Sequence, residues 1–393
     1  MTATEHRSRT ADAGPAAGTR ARVLHALAPA LVYLGVRLLG VLVLAGMSAH
    51  TGSDVLHELT TWDGAWLLAI AEHGYAGVPA DRLDAFGNRT PDTPLGFFPG
   101  YPGLVWAVGR LTFGDIVLAG LLVSAAAGIL AAYGLTRLGE LVAGGSRHTG
   151  LLLTALFAAT PMSVVLSMAY TEALFSALAV WALVAALRER WLLAGACTAA
   201  AGLVRPTASA LVAAVGLAAL VAGVTRHGDW RPWLGGLLAT TGLLGYLGYV
   251  AARTGAPDGW FAIQREGWGW YFDGGRATLD YIAGVTLGGE RIHDVLTALV
   301  FAGSLVLLVL MVRLRLPWPL LVYGAVALAT VWGTEGLMNA KLRLLVLAFV
   351  LLIPIALGLS ARRPGTAWAV VGAAALGSAW LGGYALTIWP YGI

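Results

Sequence analysis

The stretch VLHALAPALVYLGVRLLGVLVLA, residues 23–45, decides the fold. At ~1.5 Å per residue a helix of this length reaches across the ~30 Å hydrocarbon core of a bilayer. Ahead of it, Met1 to Arg22 is polar, small-residue-rich and basic, without the short apolar core and small-residue cleavage site of a signal peptide. The expectation is a disordered cytoplasmic tail over 1–22 and an uncleaved first span.

Working outward, further apolar segments lie at about 97–113, 116–136, 149–165, 170–187, 191–204, 207–225, 233–251, 293–312, 317–333, 343–359 and 366–388. With the first they make about twelve. Several fall short of the ~20 residues of an ordinary span and need tilt, packing or partial insertion. Apolar residues make up 58% of the 393 and charged residues 12%, against roughly a quarter charged in a soluble domain. The reading is an all-α polytopic bundle forming one membrane domain over 23–393. The net charge of +4 rests on arginines scattered between apolar runs and a single lysine, Lys341, which leaves nucleic-acid binding without support. The lone Cys197 rules out a disulfide framework.

Arg188 and Arg190, Arg226 and Arg231, Arg313 and Arg315, and Arg362 and Arg363 sit in short connections, which the positive-inside rule makes cytoplasmic. Counting back puts Arg137 and Arg147 inside and Asp115 outside, with the N-terminus cytoplasmic. The segment 97–113 then enters and leaves on one side, as its prolines Pro99 and Pro102 permit; an ordinary tilted span is the alternative. Two long loops, about 47–96 and 252–292, fall outside and hold twelve of the 21 acidic residues, among them Asp63, Glu72, Asp273 and Glu290. They are rich in Trp, Tyr and Gly, which argues for order, so the chemistry is expected on the outer face.

In TTWDGAWLLAIAEHGY, residues 60–75, helical spacing puts Asp63, Trp66 and Ile70 on one face, and Gly74 is a natural stop. Such a helix would lie in the membrane interface with Asp63 between Trp62 and Trp66. Two readings of Asp63 fit: a first-turn acid favoured by the helix dipole, or a site carboxylate. Glu172, in PMSVVLSMAYTEAL at 161–174, is either a first-turn acid capped by Thr171 or a site residue. Arg205 runs against the positive-inside trend; it either snorkels to the interface or grips a phosphate, as Arg265, Arg276, Lys341 and Arg343 could. GFFPGYPGLV at 96–105 is a stiff aromatic turn, and FAIQREGWGWYFDGG at 261–275 has the aromatic density to stack on a sugar or to pack on lipid.

In order and approximate spacing over roughly residues 25 to 360, these pieces resemble the PIG-V family of membrane mannosyltransferases, of the GT-C class, and its actinobacterial members in particular. The resemblance lies in Trp62-Asp63, Trp66 and Ala71-Glu72-His73-Gly74-Tyr75, then Phe97-Phe98-Pro99 with Tyr101-Pro102. It continues in Ser167, Tyr170-Thr171-Glu172-Ala173-Leu174-Phe175, Arg205-Pro206-Thr207, and Gln264 with Trp268-Gly269. Thr61, Leu67 and Gly100 depart from residues common in the family, and Asn339-Ala340-Lys341-Leu342-Arg343 replaces a Pro-Arg-Tyr type motif.

The resemblance implies transfer of a sugar from a polyprenyl-phosphate-linked donor to a hydroxyl of a glycolipid or protein acceptor, with inversion. Asp63 would be the catalytic base. Trp62, Trp66, Glu72, His73, Tyr101, Tyr170, Glu172, Arg205, Gln264, Trp268, Lys341 and Arg343 would contact substrate, with Arg205 first and Lys341 and Arg343 next for the phosphate. Membrane lipid and the lipid-linked donor are the expected partners, and no cofactor is called for; no His/Cys/Asp cluster has metal-ligand spacing. A flippase of a lipid-linked sugar and a non-catalytic assembly partner stay open beside the enzyme.

Overall fold

The computed structural model describes residues 15–225, 228–289 and 291–392. Residues 1–14, Arg226 and Glu290 therefore lie outside the described residues, with most of the expected tail. Helix α1 (Pro15–Thr51) already begins inside that tail. There follow α2 (Val55–Glu58), α3 (Asp63–Gly77), α4 (Gly100–Gly109), α5 (Ile116–Leu141), α6 (Arg147–Ala158), α7 (Glu172–Leu187), α8 (Trp191–Gly202) and α9 (Ala208–Thr225). The second half holds α10 (Arg231–Thr254), α11 (Gly259–Trp268), α12 (Arg276–Gly288), α13 (Ile292–Arg313), α14 (Trp318–Gly333), α15 (Lys341–Leu345), α16 (Ile353–Ser360) and α17 (Pro364–Thr387). The chain is an all-α polytopic bundle, and the described residues contain no strand, only an isolated antiparallel bridge between Phe272 and Thr334.

Seven helices among the described residues are long and apolar enough to cross a membrane, with three shorter apolar helices, α7, α8 and α14, beside them. Each of the twelve expected apolar segments forms helix, and the shortness of several has local reasons. The apolar run 149–165 breaks after α6, where Met162 takes a left-handed φ of 60° ahead of a 3-10 turn at Ser163–Leu166. The run 97–113 yields only the ten residues of α4, about 15 Å of rise, too little to cross the hydrocarbon core. It folds back on α5 instead. The run 343–359 becomes α15, a 3-10 stretch and α16, which together form one 20-residue apolar span over Lys341–Ser360.

Three helix starts are capped by side chains. Asp54, Asp115 and Ser146 accept from the N–H groups of His57, Leu118 and Thr149, satisfying donors that have no partner in the first turn. Between helices, small residues set the spacing. The tightest pair is α8 on α10, where a Cβ added at Gly242 would sit 1.8 Å from the Ala199 carbonyl oxygen, and one at Gly195 2.3 Å from that of Gly235. Glycine here lets two backbones touch, the usual device where lipid removes the hydrophobic drive for helices to associate.

The first long loop is organised by α2, α3 and a 3-10 turn at Thr93–Gly96, the second by α11 and α12. Helix α3 breaks at Gly74, whose φ of +67° ends the regular turn where the sequence places the stop. It is no free-standing surface helix: Leu67, Leu68 and Ala71 pack against Tyr101, Val105, Ala119 and Val123 of α4 and α5. Trp66 and Ile70 form a separate cluster with Val78. That wedging fixes Asp63 at the head of α3.

Candidate functional site

A cavity of about 420 Å³ opens between α3, the α7 and α9 N-termini, α10, α11, α14 and α15. Its wall brings together Asp63, Tyr170, Thr171, Arg205, Gln264, Trp268 and Arg343, and is otherwise largely apolar and aromatic. Phe97, Phe98, Trp260, Phe261, Trp270, Tyr271 and Phe272 supply rings, and Leu243, Leu247 and Val331 supply aliphatic surface.

Two acid–arginine pairs meet at this wall, Asp63, Arg343 and Arg205 lining it and Glu172 buried behind it. The Nη2 of Arg343 donates to Asp63 Oδ2 at 2.6 Å, with the Asp63 side chain 34% exposed and that of Arg343 11%. Asp63 is thus reachable from the cavity while Arg343 is held deep. The guanidinium lies 5.4 Å from the Tyr170 ring centre, a cation–π contact. Its Nε and Nη1 are buried without a hydrogen-bond partner. In the second pair Arg205 Nη1 approaches Glu172 Oε1 at 2.5 Å, with side chains 13% and 1% exposed, and donates to Thr171 Oγ1 at 2.7 Å. Its Nε is also buried and unpaired. Unpaired buried guanidinium donors are costly to leave so and fit anion oxygens well.

The backbone around Asp63 is stapled from a distance. Tyr170, fully buried, accepts a hydrogen bond from the Asp63 N–H at 3.2 Å and donates to the Thr61 carbonyl at 3.4 Å. Its own carbonyl lies 3.4 Å from Ser124 Oγ, which lies 3.0 Å from the Tyr101 hydroxyl. A Cβ at Gly64 would already meet the Tyr170 ring at 3.2 Å. Gly100, one of the departures from the resembled pattern, has a similar reason: its N–H donates to the Leu203 carbonyl at 2.7 Å, and a Cβ there would meet the same oxygen at 2.7 Å. This contact ties α4 to the end of α8, two residues before Arg205.

The other residues singled out by sequence divide. Gln264 lines the cavity, but its amide donates to the Gly96 carbonyl at 2.9 Å, docking α11 on the Thr93–Gly96 turn. Trp268 lines the cavity and packs edge-on against Phe97 at 5.4 Å. Trp66 is buried behind them, stacked on Phe97 at 5.4 Å with Trp268 at its edge, so it supports the wall and does not face the cavity. Tyr101 is fully buried, donating to the Gly120 carbonyl. Trp62 is exposed and off the lining, and Glu72 and His73 pair with each other at 3.7 Å on the surface. Lys341 is fully buried; its ammonium donates to Thr278 Oγ1 at 3.0 Å and to the Thr334 carbonyl, knitting α12 and the end of α14 to α15.

Thr171, expected only as a cap of α7, makes no side-chain cap hydrogen bond there; its hydroxyl instead shares Arg205 with Glu172. The α14 residues Thr330 and Val331, with Thr334 just beyond, are not singled out by the sequence. The α14 residues sit in an unremarkable apolar run that carries no local signal. Tyr271 and Phe272 reach the site because Glu335 N–H donates to the Tyr271 carbonyl and Asp273 N–H to that of Gly333. Among the described residues no three His, Cys, Asp or Glu side chains are grouped to hold a metal ion. No family model matches the chain, and no curated protein matches it. The chemical reading therefore stands on the cavity itself: an accessible carboxylate beside two arginines with unpaired donors, inside aromatic and apolar walls.

Proposed function

We propose that the protein is a membrane glycosyltransferase, mannosyltransferase-like, that moves a sugar from a polyprenyl-phosphate-linked donor to an acceptor hydroxyl on the outer face of the membrane with inversion. The observation that carries this reading is the meeting of Asp63, Arg343 and Arg205 in one cavity. In the proposed reaction the acceptor oxygen attacks the anomeric carbon, the bond from that carbon to the phosphate oxygen breaks, and the polyprenyl phosphate leaves. The acceptor proton goes to the Asp63 carboxylate.

Arg343 and Arg205, both on the cavity wall, would hold the phosphate, offsetting the charge that grows on the leaving oxygen. A phosphate arriving at Arg343 competes with Asp63 for it, so donor binding would loosen the carboxylate that must then take a proton. The rings of Trp268, Trp260 and Phe97 suit the apolar face of a sugar. The aliphatic side toward α10 and α14 suits the start of a polyprenyl chain.

Asp63→Asn keeps size and much of the hydrogen bonding but cannot accept the proton, so transfer should fall by about 10²–10⁴. The assay is initial transfer rate in isolated membranes supplied with radiolabelled polyprenyl phosphate sugars, at matched protein abundance. Full transfer by Asp63→Asn would overturn the assignment. Undiminished transbilayer movement of the donor with no transfer by the wild-type chain would favour a flippase.

A further inference from the structure

A second cleft, of about 440 Å³, lies at the other end of the bundle. The candidate site sits at the level of Ser124 on α5, and Arg137 follows about 20 Å further along the same helix. The mouth of the cleft is basic: Arg137 near the end of α5, Arg147 at the start of α6 and Arg188 after α7, with Glu140 as the one acidic residue of the lining. Two positive charges there have no acidic counterpart in the lining.

The arginines are differently placed. Pro29 lies inside α1 and leaves the His25 carbonyl without its usual helical donor; Arg147 supplies one, and also stands 3.8 Å from Glu140. Arg147 is thus fixed as part of the scaffold. Arg137 pairs with Glu140 one turn on, with its side chain 45% exposed. Arg188 is exposed and has no side-chain partner among the described residues. Away from the mouth the lining changes to Ala26, Pro29 and Trp181. The Trp181 indole N–H donates to the carbonyl of Leu130, a residue 57% exposed on the flank of α5.

We propose that this cleft binds an anionic glycerophospholipid. Its phosphate would lie against Arg188 and Arg137, and an acyl chain would run past Trp181 and Leu130. A basic mouth at the ends of spanning helices, continuous with an apolar flank, matches a molecule with a charged head and an apolar tail; a soluble phosphate needs only the first half. The end of the bundle is the one that the arginine distribution places at the cytoplasmic leaflet.

Near a membrane surface each arginine contributes about fivefold to the binding of an anionic lipid, so removing two should weaken it roughly 30-fold. The test uses the full chain in neutral detergent, titrated with phosphatidylglycerol, phosphatidylcholine or glycerol 3-phosphate, with occupancy read by native mass spectrometry. Selective retention of phosphatidylglycerol that drops about 30-fold in Arg137→Gln/Arg188→Gln, at unchanged melting temperature without lipid, is the expected result. Arg188→Gln alone, at a side chain that holds nothing else in place, should lose about fivefold and serves if the double variant misfolds. Equal retention of the two lipids, or undiminished phosphatidylglycerol in Arg188→Gln, overturns the proposal. Glycerol 3-phosphate binding as tight as that of the lipid overturns the lipid in favour of a soluble phosphate.

Discussion

Removing Arg205 should do two separable things, and Glu172→Gln should repair only one of them. The Glu172 side chain is 1% exposed, with Arg205 as its ion-pair partner at 2.5 Å and the Thr171 hydroxyl donating to its other oxygen at 3.4 Å. Arg205→Ala therefore leaves a buried carboxylate without its ion-pair partner, a change that costs about 3–5 kcal/mol. Glu172→Gln alone costs less, about 1–3 kcal/mol, because the remaining arginine keeps an amide oxygen and a side open to the cavity. In the double variant no charge is stranded, so it should be more stable than Arg205→Ala by about 2 kcal/mol. Transfer should not follow: the cavity still lacks Arg205, and the double variant should stay as inactive as the single. Stability would be compared by denaturant unfolding in one detergent, and transfer by initial rate in membranes. Two independent losses that add to within about 0.5 kcal/mol would refute the buried pair. Restored transfer in the double variant would refute a direct role of Arg205 with substrate.

Lys341 and Arg343 should part in the same assay: Lys341→Met should leave the donor KM near wild type, whereas Arg343→Met should raise it and slow turnover, and equal effects would place both cations on the phosphate. Gly242→Ala should lower the melting temperature and the monodisperse yield, since its Cβ would press on the Ala199 carbonyl, while Gly245→Ala, with no atom within 4 Å, should not; equal behaviour of the two would deny the close α8–α10 contact. The N–H groups of Ala277 and, after it, Gly275 hold the Asp273 carboxyl below its ordinary range. A depressed folded-state pKa contributes stability above the ordinary carboxylate pKa and loses it as pH falls through the depressed value. Hydrogen-exchange protection at the start of α12 should then drop below about pH 4 in the wild type and show no such step in Asp273→Asn.

Much of the fold was legible because apolar run length and chain-breaking residues act locally. The span at 23–45, the stop at Gly74 and the shortness of the 97–113 segment all follow from a few neighbouring residues. Where a run proves shorter as a helix than as an apolar segment, the cause is also local but weak in sequence: Met162 turns left-handed inside what reads as one apolar segment. The site was legible in part. Arg205 drew attention as an arginine in the wrong place, and Glu172 proves to be its partner. The pairing of Arg343 with Asp63 joins residues 280 positions apart and has no local sign. The difference between Lys341 and Arg343 could have been read: two residues apart on a helix point about 200° apart, so one turn of α15 cannot aim both at one cavity.

Trp62 connects these observations. It holds a φ of 54° and ψ of −124°, a conformation that costs a bulky residue on the order of 1–3 kcal/mol and persists only where its surroundings enforce it. The enforcement is visible: one hydroxyl, that of Tyr170, bonds to Thr61 on one side of Trp62 and to Asp63 on the other. Tyr170 in turn lies beneath Arg343, the residue that fixes the Asp63 carboxylate. Backbone and side chain of Asp63 are thus held by two groups from distant parts of the chain, which meet over one aromatic ring. A first-turn acid serving only the helix dipole needs none of this; solvent at any helix N-terminus would suit it. The strain beside Asp63 is better accounted for by the placing of its carboxylate than by the folding of α3, since α3 is already secured by Leu67, Leu68 and Ala71.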